Sequence, residues 1–196
     1  MVKKSEFPES LVKKYKFMFK SISEKQKKVF EALGSKFGYK NISQAPRIEK
    51  VIVSTGVGST IDKKKVELIP ERLALITGQK PSQQLAKKSI SQFKVREGDL
   101  VGYRVTLRGK MAAAFLDKLI HIALPRTRDF RGLSPDGVDE MGNYSFGIKE
   151  STIFPEIADE ELKNVFGMSV TIVTSSREKE QTVALLEYVG LPFKKQ

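Results

Sequence analysis

Three short segments alternate apolar and polar residues, and they restrict the possible folds more than any other feature of the chain. From Val101 to Arg108, Val101, Tyr103, Val105 and Leu107 share one side, while Arg104, Thr106 and Arg108 share the other. From 143 to 149, Tyr144, Phe146 and Ile148 oppose Asn143, Ser145 and Lys149. From 168 to 174, Met168, Val170 and Ile172 oppose Ser169 and Thr171. Successive side chains of a strand point to opposite faces, so this pattern calls for strands with one buried and one open face. Antiparallel sheets meet that demand, with helices covering the apolar side. A solvated open face is the ordinary outcome, but Arg-Thr-Arg at its centre suits phosphate and ribose contacts better than idle solvation.

The remaining elements are read from apolar spacing and end signals. Leu11, Tyr15, Met18 and Ile22 make one helical stripe within residues 9–22. Ser23-Glu-Lys-Gln26 reads as a capping box starting a second helix, with Val29, Phe30, Leu33 and Phe37 apolar and Gly38 as its C-cap. Pro46 to Ser54 is a strand closed by Gly56-Val-Gly58. Residues 62–77 read as a helix with Val66, Ile69, Leu73 and Ile76 inward, kinked or restarted at Pro70. Residues 82–88 read as extended. Met111, Ala114, Phe115, Leu119 and Ile122 define a helix ending before Pro125, and Ser175 with Glu178 caps a last helix ended by Gly190 and Pro192. The expected architecture is α+β: a mostly antiparallel sheet with helices on one face, an exposed polar and basic face, and an N-terminal helical extension. Residues 1–40 form the lysine-rich helices and 41–196 the α+β domain.

Charge indicates the kind of partner. Thirty-five Lys and Arg against 23 Asp and Glu give +12 over 196 residues, which points first to nucleic acid and second to an anionic membrane surface. The first 40 residues hold 11 Lys, no Arg and 4 Glu, whereas six of the nine arginines lie between Arg96 and Arg131. A lysine-only stretch gives diffuse, salt-sensitive attraction, while clustered arginines suggest defined contacts. Three of them, Arg126, Arg128 and Arg131, surround Phe130 in the segment from Pro125 to Gly147. That segment is too rich in Gly, Pro, Asp and Asn for a helix, so it is a long loop leading into a short strand. Long structured loops in compact domains are usually functional.

Several classes are set aside. The chain has no cysteine, which removes disulfides, thiolate zinc sites and cysteine nucleophiles. No apolar run reaches the ~18 residues of a membrane span, and the start lacks a signal-peptide core, so a soluble intracellular protein is expected. Gly56-Val-Gly58 lacks the third glycine of a dinucleotide loop. The single histidine, His121, has no second histidine to pair with, and Asp136, Asp139 and Glu140 read as a charged loop. No catalytic constellation, cofactor site or small-molecule substrate is expected. Tyr144 and Phe146 stand two apart, as in single-stranded RNA binders that stack bases, but Ile148 shares their face and core packing is favoured.

Many segments together resemble the L-five family of large-subunit ribosomal proteins. They include Pro46-Arg-Ile-Glu-Lys-Val51, Ile76-Thr-Gly-Gln-Lys-Pro81, Val105-Thr-Leu-Arg-Gly109, Pro125-Arg-Thr-Arg-Asp-Phe-Arg-Gly-Leu133, Gly142-Asn-Tyr-Ser-Phe-Gly147 and Ile153-Phe-Pro-Glu-Ile157. The collinear match runs from about residue 37 to Leu191-Pro-Phe193. The resemblance implies a cytoplasmic ribosomal protein that binds 5S rRNA and large-subunit rRNA in the central protuberance. It also implies contact with P-site tRNA through a loop, and a bridge to a small-subunit protein. By position, Ser54, Gln79 and Thr106 belong to the 5S-contacting set; the reading of the open face and the arginine loop adds Arg104, Arg108, Arg126, Arg128 and Arg131 as rRNA contacts. Lys87, Lys88, Lys94 and Arg96 fall in the tRNA loop, and Phe130, Asp136, Asp139 and Asn143 on the bridge surface. The family usually has asparagine in place of Ser54, and Asp-Gly-Arg-Gly in place of Asp139-Glu140-Met141-Gly142. The N-terminal helices exceed the usual family start; added rRNA contacts and a solvated helix both remain open for them. The alternative to a ribosomal role is a generic basic RNA-binding module not stably held in the ribosome.

Overall fold

The computed structural model describes residues 21–57, 63–157 and 165–194. The stripe expected over Leu11, Tyr15 and Met18 lies outside these residues. The described residues open with α1 (Ile22–Lys27) and α2 (Val29–Phe37), then β1 (Ile48–Gly56) and α3 (Lys63–Thr77). A hairpin of β2 (Ser82–Leu85) and β3 (Leu100–Arg108) follows, with α4 (Gly109–Lys118) directly behind it. After a long loop come β4 (Tyr144–Ile148), β5 (Met168–Thr174) and α5 (Lys179–Val189).

The five strands form one sheet in the order β2-β3-β1-β5-β4, every pair antiparallel. Its inner face buries Val51, Val53, Tyr103, Val105, Leu107, Tyr144, Ile148, Met168, Val170 and Ile172, so the alternation read from sequence holds. Val101 is the exception: at the ragged start of β3 it is exposed. Helices cover this face through Ile69, Leu73 and Ile76 of α3 and Leu185, Leu186 and Val189 of α5. Ile22, Val29 and Leu33 belong to the same core, and the Ile22 amide donates to Asp117 of α4 at 3.0 Å. Both short N-terminal helices are therefore part of the packed body.

Four local expectations change. The first described helix is capped by Ser21, whose hydroxyl accepts from the Glu24 amide, and not by Ser23. Ser21-x-x-Glu24 offers the same capping pattern two residues earlier. Pro70 sits inside one uninterrupted helix, with no restart. In α4 the buried residues are Ala112, Phe115 and Leu116, while Met111 and Ile122 are 44% exposed. Apolar residues surround that helix, and it passes into a π-type turn over Leu119–Ala123 that shifts the helical phase. Finally, Ser176 rather than Ser175 bonds the Glu178 amide, and Ser175 accepts from the Arg47 amide at 3.0 Å.

Candidate nucleic-acid interface

The register of the five strands lines up the residues of the open face in rows. One row crosses the whole sheet: Ser82, Arg104, Ser54, Ser169 and Gly147. A second holds Thr106, Ile52, Thr171 and Ser145, and a third Arg108, Lys50 and Val173. At ~4.8 Å between strands the first row spans roughly 19 Å. The hydroxyls pair laterally: Ser54 Oγ with Ser169 Oγ at 2.8 Å, and Ser145 Oγ with Thr171 Oγ1 at 2.9 Å. Ser82 Oγ donates to the Arg104 carbonyl at 3.0 Å. Arg104 and Arg108 are exposed above this carpet, and half-buried Ile52 and Val173 give it a partly apolar floor. Hydroxyls both donate and accept, as ribose 2′-hydroxyls do, and the two guanidinium forks suit phosphate.

Ser54, Arg104, Thr106 and Arg108 thus come together on one surface. Gln79 is exposed in the turn between α3 and β2, three residues before Ser82, where its backbone is tied to the Thr77 hydroxyl. The shorter side chain at position 54 does not leave its hydroxyl idle, since Ser169 supplies a partner across the strand. Ser82 and Lys50 escaped the sequence reading although they join the rows. Lys50 was legible from its alternation with Val51 and Val53; Ser82 depends on the pairing of β2 with β3.

Arg126, Arg128 and Arg131 are exposed outside the five strands, Arg128 and Arg131 at the β4 edge and not on the open face. Arg128 and Arg131 border a cleft of about 530 Å3 whose far wall is Phe146, Gly147 and Ile148. The loop is firmly held. Leu133 N–H donates to the Pro192 carbonyl at 2.8 Å, and Lys194 N–H returns to the Leu133 carbonyl at 2.9 Å. Tyr144 OH donates to the Ser134 carbonyl at 2.8 Å, and burial pushes that phenol up to about 12. Phe130 is half-buried against the core.

Asp136 accepts from Ser134 Oγ at 2.6 Å. The Asp139 carboxylate accepts from the Asn143 side chain at 2.9 Å and from the Asn143 and Met141 amides at 2.7 and 3.0 Å. Desolvation raises its pKa, but these hydrogen bonds and the Lys179 charge prevail and hold it below the usual carboxylate value. Asp139 and Asn143 therefore shape the turn between them, whatever else they meet.

Lys87, Lys88, Lys94 and Arg96 all project from the β2–β3 connection, at the opposite edge of the sheet. That loop is structured too: Ile90 pairs with Val95, Asp99 accepts from the Arg96 amide at 2.7 Å, and Ser89 Oγ from the Glu97 amide at 2.9 Å. Its tip exposes Phe93 by 68%, which the sequence reading had not singled out.

Comparison with known proteins identifies the family. Residues 41–96 match the family described as Ribosomal protein L5, and residues 100–193 match the C-terminus of the same ribosomal family. These matches make the chain a structural ribosomal protein, not an enzyme. A large ribosomal subunit protein uL5 of Thermosipho melanesiensis is 48% identical over 172 residues, covering 87% of this chain and 94% of the relative. The uL5 of a Thermoanaerobacter strain is 47% identical, covering 87% and 96%, and that of Fervidobacterium nodosum is 46% identical, covering 92% and 99%. The chain belongs to the ribosomal protein L5 family, and so to the large ribosomal subunit, a cytoplasmic particle in these bacteria. Residues 21–40, which precede the first matched family residue, still supply Ile22, Val29 and Leu33 to the core.

Proposed function

We propose that the open face of the sheet binds 5S rRNA and helps to attach it to large-subunit rRNA in the central protuberance. The five-strand row through Ser82, Arg104, Ser54 and Ser169 carries this reading. It offers hydroxyls for riboses between cations for phosphates, with hydroxyls paired to one another across the strands. Recognition is therefore by the shape of folded RNA and its 2′-hydroxyls. Arg126, Arg128 and Arg131 add rRNA contacts outside the open face. Lys87, Lys88, Lys94 and Arg96 contact P-site tRNA from the other edge, and the segment carrying Phe130, Asp136, Asp139 and Asn143 faces a small-subunit protein. Membership of a large-subunit family replaces the alternative of a free-standing basic RNA-binding module.

The test is a salt-titrated binding assay with 5S rRNA and a scrambled RNA of equal length. The expected result is a preference for 5S rRNA that persists as salt rises. Affinities that are equal and collapse together would reduce the interaction to the +12 charge alone.

A further inference from the structure

Strand β4 ends the sheet, and its outer backbone edge is covered at its start, where Val138 bridges Tyr144, but not at Gly147. The Asp139 amide donates to the Asn143 carbonyl at 2.8 Å, which places the backbone groups of Asn143 on the side away from β5. Backbone groups alternate in direction along an antiparallel strand, so those of Ser145, which meet Gly137, and those of Gly147 also face outward. The Gly147 N–H and carbonyl have no hydrogen-bond partner on that side among the described residues. The cleft beneath the arginine loop follows this edge, because three consecutive residues, Phe146, Gly147 and Ile148, line it. A groove beside the strand's side chains alone would have skipped Gly147, which has none. A Cβ built at Gly147 would meet nothing within 4 Å.

The opposite edge strand, β2, exposes only Ser82, Gln83, half-buried Gln84 and Leu85, and no cleft runs along it among those described. At β4 the open edge coincides with apolar walls from Phe130, Phe146 and Ile148 and with the cations Arg128, Arg131, Lys149 and Lys194. Asp129 and Glu150 offset only part of that charge. RNA would satisfy the cations but not the outward Gly147 amide and carbonyl beside apolar walls. An added strand satisfies both: its main chain completes the ladder, and alternate side chains enter the cleft. We propose that the β4 edge docks an extended segment of a partner protein, alternating apolar with acidic residues, as a sixth strand. This rests on the reading of the segment carrying Phe130, Asp136, Asp139 and Asn143 as protein-facing, supplies the chemistry of the partner, and moves Arg128 and Arg131 from the rRNA contacts to that partner.

The probe is an acetylated decapeptide of alternating valine and glutamate, titrated into the full chain while amide exchange is followed. Binding should protect the Gly147 amide. Affinity should fall at least ten-fold for a valine–lysine peptide, for a peptide N-methylated at alternate amides, and for Arg131→Glu. Gly147→Pro, which removes the outward-facing N–H at an edge position where proline is tolerated, should abolish binding with the melting temperature kept. The N-methylated peptide makes the test independent of how well that variant folds. Equal affinity of the N-methylated peptide, or an unprotected Gly147, overturns the proposal. An oligouridylate that occupies the cleft while the Gly147 amide keeps exchanging also overturns it, in favour of RNA. Subunit association that falls in Arg131→Glu but not in Gly147→Pro would keep the bridge and remove the added strand. Peptide binding with normal subunit association would keep the strand site and remove the bridge.

Discussion

Thr106 sits on the open face between Arg104 and Arg108, and its hydroxyl has no partner among the described residues. It is free to bond RNA and dispensable for the fold. Thr106→Ala should weaken 5S rRNA binding by about five-fold, the equivalent of ~1 kcal/mol for one hydrogen bond, with thermal unfolding unchanged. An unaltered titration would take the residue out of the interface. Asp139 is the opposite case, a polar residue with three donors of the protein's own. Asp139→Ala should cost about 1 kcal/mol and speed amide exchange at Met141 and Asn143. Its pKa is lower folded than unfolded, so the stabilisation is complete above pH ~4 and fades as pH falls through the folded value. The wild type and Asp139→Ala should therefore converge in stability on acidification, and a constant gap between them would contradict the hydrogen-bonded turn.

Among the elements, the arginine loop depends on one small residue. Gly132 has φ of 94°, and a Cβ there would lie 2.8 Å from the Lys194 amide nitrogen. Gly132→Ala should destabilise the protein by roughly 1–3 kcal/mol, through strain and separation of the loop from residues 192–194. Calorimetry checks the stability, and faster exchange at the Leu133 amide checks the cause. The elements also show where sequence was informative. β5 was legible residue for residue because its alternation is strict and both neighbours in the sheet reward it. The stripe of α4 was misread because an Ala-rich helix gives little contrast between faces, and the π-type turn that rephases it has no sequence mark. The first serine cap was displaced by two residues, since Ser21 and Ser23 offer equivalent hydroxyls, while α5 starts at Glu178 without a side-chain cap and Ser176 only accepts from the Glu178 amide. The open face was legible as a pattern, but its rows depend on register, which no single strand encodes.

For the whole molecule, the sheet separates the proposed contacts: the β2–β3 loop lies at one edge, the arginine loop at the other, and the hydroxyl rows between them. Sites so far apart should respond independently. Lys94→Ala with Arg96→Ala should leave 5S rRNA binding intact and weaken tRNA retention on assembled ribosomes. Combined with Thr106→Ala, the two defects should simply add. A collapse of 5S binding in the loop variant would show that the surface is not divided in this way.

The order β2-β3-β1-β5-β4 also has a consequence for how the protein is born. The first strand to be synthesised occupies the middle of the finished sheet. On a translating ribosome, β1 leaves the exit tunnel with two bare edges. One is closed when β3 follows, the other only after Met168–Thr174 has been made. A nascent chain of this design carries a sticky half-sheet for most of its synthesis, so its yield in the cell should depend on chaperones that shield β1 until β5 arrives.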